Sequence, residues 1–160
     1  MAWREDAHIT RLRVDRIDRI NNIVALTAAT LAATAAEHAS RIIMPNVASG
    51  STITLPAATG SGDAYEVFVL ATITSNNLIV EVASASDVFA GAIVGAIDGG
   101  TTNNLWLTAA TSDTITLNGT TKGGYLGDQL TFTDVSSGVW RVSGLLKQTG
   151  TEVTPFSAAV

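Results

Sequence analysis

The chain reads as all-β: an antiparallel β-sandwich or jelly-roll-like barrel, preceded by an extended or partly helical N-terminal arm. Three observations predict this. Short apolar or alternating runs recur at about ten-residue spacing from Arg41 onward. Turn-forming clusters punctuate them. Charge is concentrated upstream: residues 1–41 hold six arginines against five carboxylates, whereas residues 42–160 hold three cations against nine carboxylates. The division that follows is a charged docking arm at 1–22, an Ala/Thr-rich connector at 23–40 and a β domain at 41–160.

In the arm, Val14, Ile17, Ile20 and Val24 fall at i, i+3, i+6 and i+10, a narrow apolar stripe if the segment is helical. Arg11–Asp15 and Asp15–Arg19 are spaced i, i+4 and support that helix by a few tenths of a kcal/mol each. The β-branched residues oppose it, and so thin a stripe needs a partner to order it. Trp3 beside Arg4 has the composition of an anchor. The candidate docking residues are therefore Trp3, Arg4, Arg11, Arg13, Val14, Arg16, Ile17, Arg19 and Ile20.

Residues 25–40, ALTAATLAATAAEHAS, combine helix-favouring alanine with opposing threonine. An extended connector, a strand pair and a short helix all remain open, with extended structure favoured.

The β domain begins at Arg41–Met44. Strands are expected at Thr52–Leu55, Tyr65–Ala71, Leu78–Val82, Ala92–Ile97, Leu105–Ala109, Thr114–Leu117, Leu130–Thr133 and Val139–Leu145. Thr52–Leu55 and Thr114–Leu117 place aliphatic residues on one face and threonine on the other. The continuous runs Val67–Ala71 and Ala92–Ile97 predict strands buried on both faces, one of which would meet a neighbouring subunit. Gly60-Ser61-Gly62-Asp63, Asn76-Asn77, Asp98-Gly99-Gly100, Asn118-Gly119, Gly123-Gly124 and Ser137-Gly138 mark the turns.

Composition narrows function. Charged residues make up only 14% of the chain, and mean hydropathy is +0.31. A typical protein has about 25% charge, and interface cores are depleted in it. Subunit-covered surface is the reading this favours. Cysteine is absent, which removes disulfides, thiolate metal sites and a cysteine nucleophile. A pI near 4.8 argues against binding nucleic acid, which demands clustered cations. The uncharged stretch Ile20–Ala36 is rich in alanine, threonine and asparagine, so no membrane span or signal peptide is expected there.

No catalytic constellation emerges. His8 and His38 both precede the β domain, so neither reaches a body serine unless the arm folds back. HExxH, a phosphate-cradling loop and EF-hand spacing are missing. Gly60-Ser61-Gly62-Asp63 reads as a hairpin turn, not a nucleophile elbow. Asp63, Asp98, Asp128 and Asp134 lie near turn glycines and read as turn caps; a loop calcium ion is the alternative. No cofactor and no metal ligand set is assigned.

Four stretches carry a resemblance: His38-Ala39-Ser40-Arg41-Ile42-Ile43, Gly50-Ser51-Thr52-Ile53-Thr54-Leu55-Pro56-Ala57-Ala58-Thr59-Gly60-Ser61-Gly62, Asp113-Thr114-Ile115-Thr116-Leu117-Asn118-Gly119, and Thr149-Gly150-Thr151-Glu152-Val153-Thr154-Pro155-Phe156-Ser157. Together they resemble small β-rich virion proteins of tailed bacteriophages, the head decoration (cement) proteins. The resemblance covers about residues 24–160. It implies a non-enzymatic protein on the outer surface of the capsid, a homotrimer bound to the major capsid protein that stabilises the shell. Where many relatives carry glycine, this chain has Ser40, a departure at a position suited to a tight turn. Related modules occur in tail fibres. The competing reading is thus a fibre-associated or receptor-binding module that takes host glycans on loop-borne Trp106, Trp140 or Tyr125. A glycan depolymerase would need paired carboxylates in an aromatic cleft.

Overall fold

The computed structural model describes residues 22–100 and 102–160. The chain first forms β1 (Ile23–Leu26), β2 (Thr30–Ala32) and the short helix α1 (Ala35–His38). Next come β3 (Arg41–Pro45), β4 (Ser51–Thr54), β5 (Ala64–Phe68), β6 (Leu78–Glu81) and β7 (Val88–Ile97). The series ends with β8 (Asn103–Leu107), β9 (Thr114–Leu117), β10 (Gln129–Ser136), β11 (Val139–Gln148) and β12 (Phe156–Ser157). A seven-stranded sheet has the order β1-β3-β5-β10-β11-β7-β8, and a five-stranded sheet the order β12-β9-β6-β4-β2.

Through β7 the chain crosses from one sheet to the other at every step. As far as β6, each return to a sheet lays the chain beside its previous strand there in the same direction, whereas β7 joins the larger sheet away from β5. Thus Ile23 stands opposite Ile42 in β1–β3, Ile43 opposite Val67 in β3–β5, Thr30 opposite Thr52 in β2–β4 and Ser51 opposite Leu78 in β4–β6, all parallel. Parallel neighbours need a long crossover, ordinarily a helix. Here a strand of the opposite sheet performs that role.

This corrects the antiparallel expectation. Five strand pairings are parallel and five antiparallel, so both sheets are mixed, and neither closes into a barrel. Period-two alternation records which face a residue takes and is silent on the direction of the neighbouring strand.

All nine expected segments overlap strands, although β5 ends at Phe68 and β8 at Leu107, short of the expected Ala71 and Ala109. Residues 23–40 hold two further strands and a helix. Thr34 caps α1: its extended backbone precedes the helix, its Oγ1 accepts from Glu37 N at 3.3 Å, and its own N–H donates to Nδ1 of buried His38 at 3.0 Å. The helix ends at once because Ser40 takes φ 59°, and its N–H donates to Ala64 O at 2.7 Å as the chain turns into β3. The tight turn therefore forms without glycine.

Inward residues of both sheets share one buried cluster. Ile43, Val67, Phe89, Ile93, Leu130, Phe132, Trp140, Val142 and Leu146 come from the larger sheet; Ile53, Leu78, Val80, Ile115 and Leu117 come from the smaller. Tyr65 and Trp140 meet edge-on with centroids 5.5 Å apart, the favoured geometry for aromatic quadrupoles. The two Thr-Ile-Thr-Leu motifs flank β6, one parallel and one antiparallel, each sending its aliphatic residues inward.

Candidate interface surface

The two outward faces differ in chemistry. On the smaller sheet, Thr30, Thr52, Thr54, Thr116 and Glu81 point away from the core around half-buried Ile79, and Thr54 Oγ1 donates to Glu81 Oε1 at 3.1 Å. Such a face is readily hydrated.

The larger sheet is different. Ala25 of β1 stands opposite Met44 of β3. Phe68 of β5 stands opposite Gln129 of β10, Gln129 opposite Leu145 of β11, Leu145 opposite Val94 of β7, and Val94 opposite Leu105 of β8. Since Ile43 pairs with Val67, Met44 and Phe68 follow in the same register. An uncharged row thus crosses all seven strands, interrupted only by one glutamine. A neighbouring row runs Glu66, Thr131, Ser143, Ala92, Leu107, with Ile23 and Ile42 at its β1 end. Leu105, Leu107 and Leu145 retain 62%, 67% and 54% of their exposure. Single exposed leucines are ordinary, but a contiguous apolar face marks a contact surface.

The runs Val67–Ala71 and Ala92–Ile97 contribute to this arrangement. Val67, Val69 and Ile93 are buried, whereas Phe68, Ala92 and Val94 are half-buried and Leu70 is exposed. Burial on both faces, expected from the sequence, is not completed within this chain.

The aromatic residues expected on loops do not form a platform. Trp140 lies in β11, 1% exposed, in the core. Trp106 lies in β8 and faces inward, its Nε1 donating to Gln148 Oε1 at 2.8 Å. Tyr125 does sit on a loop, where its hydroxyl meets Thr149 Oγ1 at 3.0 Å and Lys147 Nζ lies 5.0 Å from the ring centroid.

The aspartates fasten loops. Asp134, 2% exposed, accepts from Thr59 N, Gly60 N and Ser61 N and from both hydroxyls, Thr59 Oγ1 and Ser61 Oγ, at 2.7–3.1 Å. Burial works to raise its pKa, but these donors prevail and hold it well below the usual carboxylate range. Asp128 accepts from Gly124 N, Tyr125 N and Lys147 N, yet burial dominates and its pKa is raised. Burial of Asp113 is likewise opposed by donation from Ala159 N, Thr114 Oγ1 and Val160 N, with a net lowering. Asp87 accepts from Ala58 N at 3.0 Å. The Tyr65 phenol is pushed up to about 12, first by burial, then by Asp63 and Asp134.

Asp128 and Asp134 thus cap loops, while Asp98 is exposed, 4.0 Å from Lys147 Nζ. Among the described residues no group of three His, Cys, Asp or Glu is placed to hold a metal ion, and no helix is long and apolar enough to cross a membrane. His38 is committed to the α1 cap. The arm residues Trp3, Arg4, Arg11, Arg13, Val14, Arg16, Ile17, Arg19 and Ile20 lie outside the described residues.

Sequence reasoning missed Gln148, Asp87 and Asp113. Gln148 was detectable: it shares strand parity with Trp140, Val142 and Leu146, so an inward polar side chain had to find partners.

No family model matches the chain, and neither a curated protein nor a solved structure matches it.

Proposed function

We propose that this chain is a non-enzymatic structural protein of a tailed-phage virion, a decoration or cement protein on the outer surface of the capsid. Its two sheets are read as the layers of a sandwich. That body assembles as a homo-oligomer, a trimer by its resemblance, and the arm at residues 1–22 docks on the major capsid protein. Function is then mechanical: bridging capsomers adds binding energy that opposes internal DNA pressure, and several arms per oligomer make weak contacts cumulative.

The observation that carries the reading is the apolar outer face of the larger sheet, set against the threonine-lined face of the smaller one. An autonomous monomer has no use for that asymmetry. The glycan-binding reading loses Trp140 to the core and the Trp106 indole N–H to Gln148.

The test is binding to heads that lack the chain. Deleting residues 2–21 keeps Asn22, whose carbonyl accepts from Ile42 N at 2.8 Å at the start of β1. The truncated protein is expected to remain a folded oligomer and to lose head occupancy. Unchanged occupancy, or purified virions without the chain, defeats the proposal.

A further inference from the structure

We propose that the outer face of the seven-stranded sheet is where two copies of this chain meet, with Glu66 of one copy set against Arg141 of the other. The inference rests on the reading of the body as a homo-oligomer and names a two-fold contact, which gives a dimer or an assembly of dimers in place of the trimer that the resemblance implies.

The face is divided into wings. Glu66 on β5 lies on one side of β10 and Arg141 on β11 lies on the other, joined through the register Glu66–Thr131–Ser143. Arg141 is two residues before Ser143 and shares its outward side. Among the described residues, neither charge pairs within its own chain. The anionic wing carries Ile42, Met44 and Phe68; the cationic wing carries Leu105, Leu107 and Leu145. Hydroxyl and amide side chains of β10 separate them.

Two copies stacked with opposite wings in register would cover aliphatic with aliphatic and carboxylate with guanidinium. A strongly acidic or strongly basic partner would match only one wing, so the charge pattern selects another copy of the same surface. Size agrees. Seven strands about 4.8 Å apart and about 17 Å long make a face on the order of 600 Å² in projection. Side-chain relief brings that towards the roughly 800 Å² per partner of a stable interface.

Sedimentation velocity of the full chain at micromolar concentration tests this, with circular dichroism to check the fold. Leu105 and Leu145 are exposed, so the L105D/L145D double variant keeps the core. It is expected to sediment as a monomer. Glu66→Arg and Arg141→Glu are each expected to weaken association about tenfold or more, and the two together to restore it. A wild-type oligomer that L105D/L145D leaves intact overturns the assignment of this face while sparing the oligomer. Reversals that the double exchange does not rescue overturn the Glu66–Arg141 contact. A variant that stays assembled but leaves the head gives the face to the capsid, against the proposal. A wild-type monomer sinks the homo-oligomer reading itself.

Discussion

Trp106 and Gln148 meet across a strand that lies between them. The indole Nε1 donates to Gln148 Oε1 at 2.8 Å, passing over Gly95 of β7, where an added Cβ would land on that oxygen. Gln148 is fully buried, and its Nε2 donates to Thr121 O at 2.8 Å and Val153 O at 3.1 Å. One amide thus ties the outermost strand, a loop and the C-terminal segment to the end of β11.

Gln148→Leu strands one donor and two carbonyls and is expected to cost about 2–4 kcal/mol. Gln148→Glu is worse at neutral pH, because a carboxylate would face both carbonyls. Chemical denaturation measures the loss, and altered Trp106 fluorescence reports its location. Gly95→Ala should reproduce the defect with Gln148 itself unchanged, because the added Cβ displaces the amide.

Asp134 makes stability depend on pH. Its folded pKa lies below its unfolded value, about 3.9. The stabilisation is therefore present above that value and lost as pH falls through the folded pKa. Asp134→Asn is expected to cost about 2–3 kcal/mol at pH 7, with the gap to wild type narrowing below about pH 4. Asp128, raised by burial, has the opposite sign: the penalty of Asp128→Asn grows on acidification. Parallel denaturation series across acid pH would separate the two.

Ser40 holds a left-handed conformation with a Cβ. That strain is about 1–2 kcal/mol, partly offset in glycine by its freer unfolded chain. Ser40→Gly should therefore stabilise the fold by about 0.5–1 kcal/mol. Ser40→Ala, which keeps the Cβ, should give no gain. Equal stabilisation by both would remove backbone strain as the cause.

Asp113 fastens the C-terminal segment, its Oδ1 accepting from Ala159 N at 2.7 Å and Val160 N at 3.3 Å. Asp113→Ala should cost about 1–2 kcal/mol. It should also speed amide exchange in the last residues, including β12, before exchange in β6 or β9 changes. Uniform acceleration everywhere would mean that the segment does not open by itself.

Strand positions were legible because each short run has its own period and turn signals: Thr114–Leu117 coincides with β9, and Leu78–Val82 encloses β6. The cap at Asp128 was legible from its place near turn glycines, but the partners of Asp134 were not, since Thr59, Gly60 and Ser61 lie far upstream in the chain. The parallel pairings were not, since Thr52–Leu55 reads the same whichever way its neighbour runs. β1 and β2 were obscured by alanine and threonine, whose propensities oppose each other. The apolar outer face was half-legible: Ala92–Ile97 announced a strand with too much apolar surface, but only the register aligns Val94 with Leu145 and Leu105.

The winding of β1 to β6 bears on how the molecule is made. Each new coil of that region lies against the one before it, so it can assemble progressively as the polypeptide leaves the ribosome. The β7–β11 ladder cannot, because Val88 waits for Val139, about fifty residues later. Closing that long loop is slow, and until it closes β7 remains a sticky apolar edge. Fewer chains made at once, which keeps unfinished ones apart, should therefore raise the soluble yield.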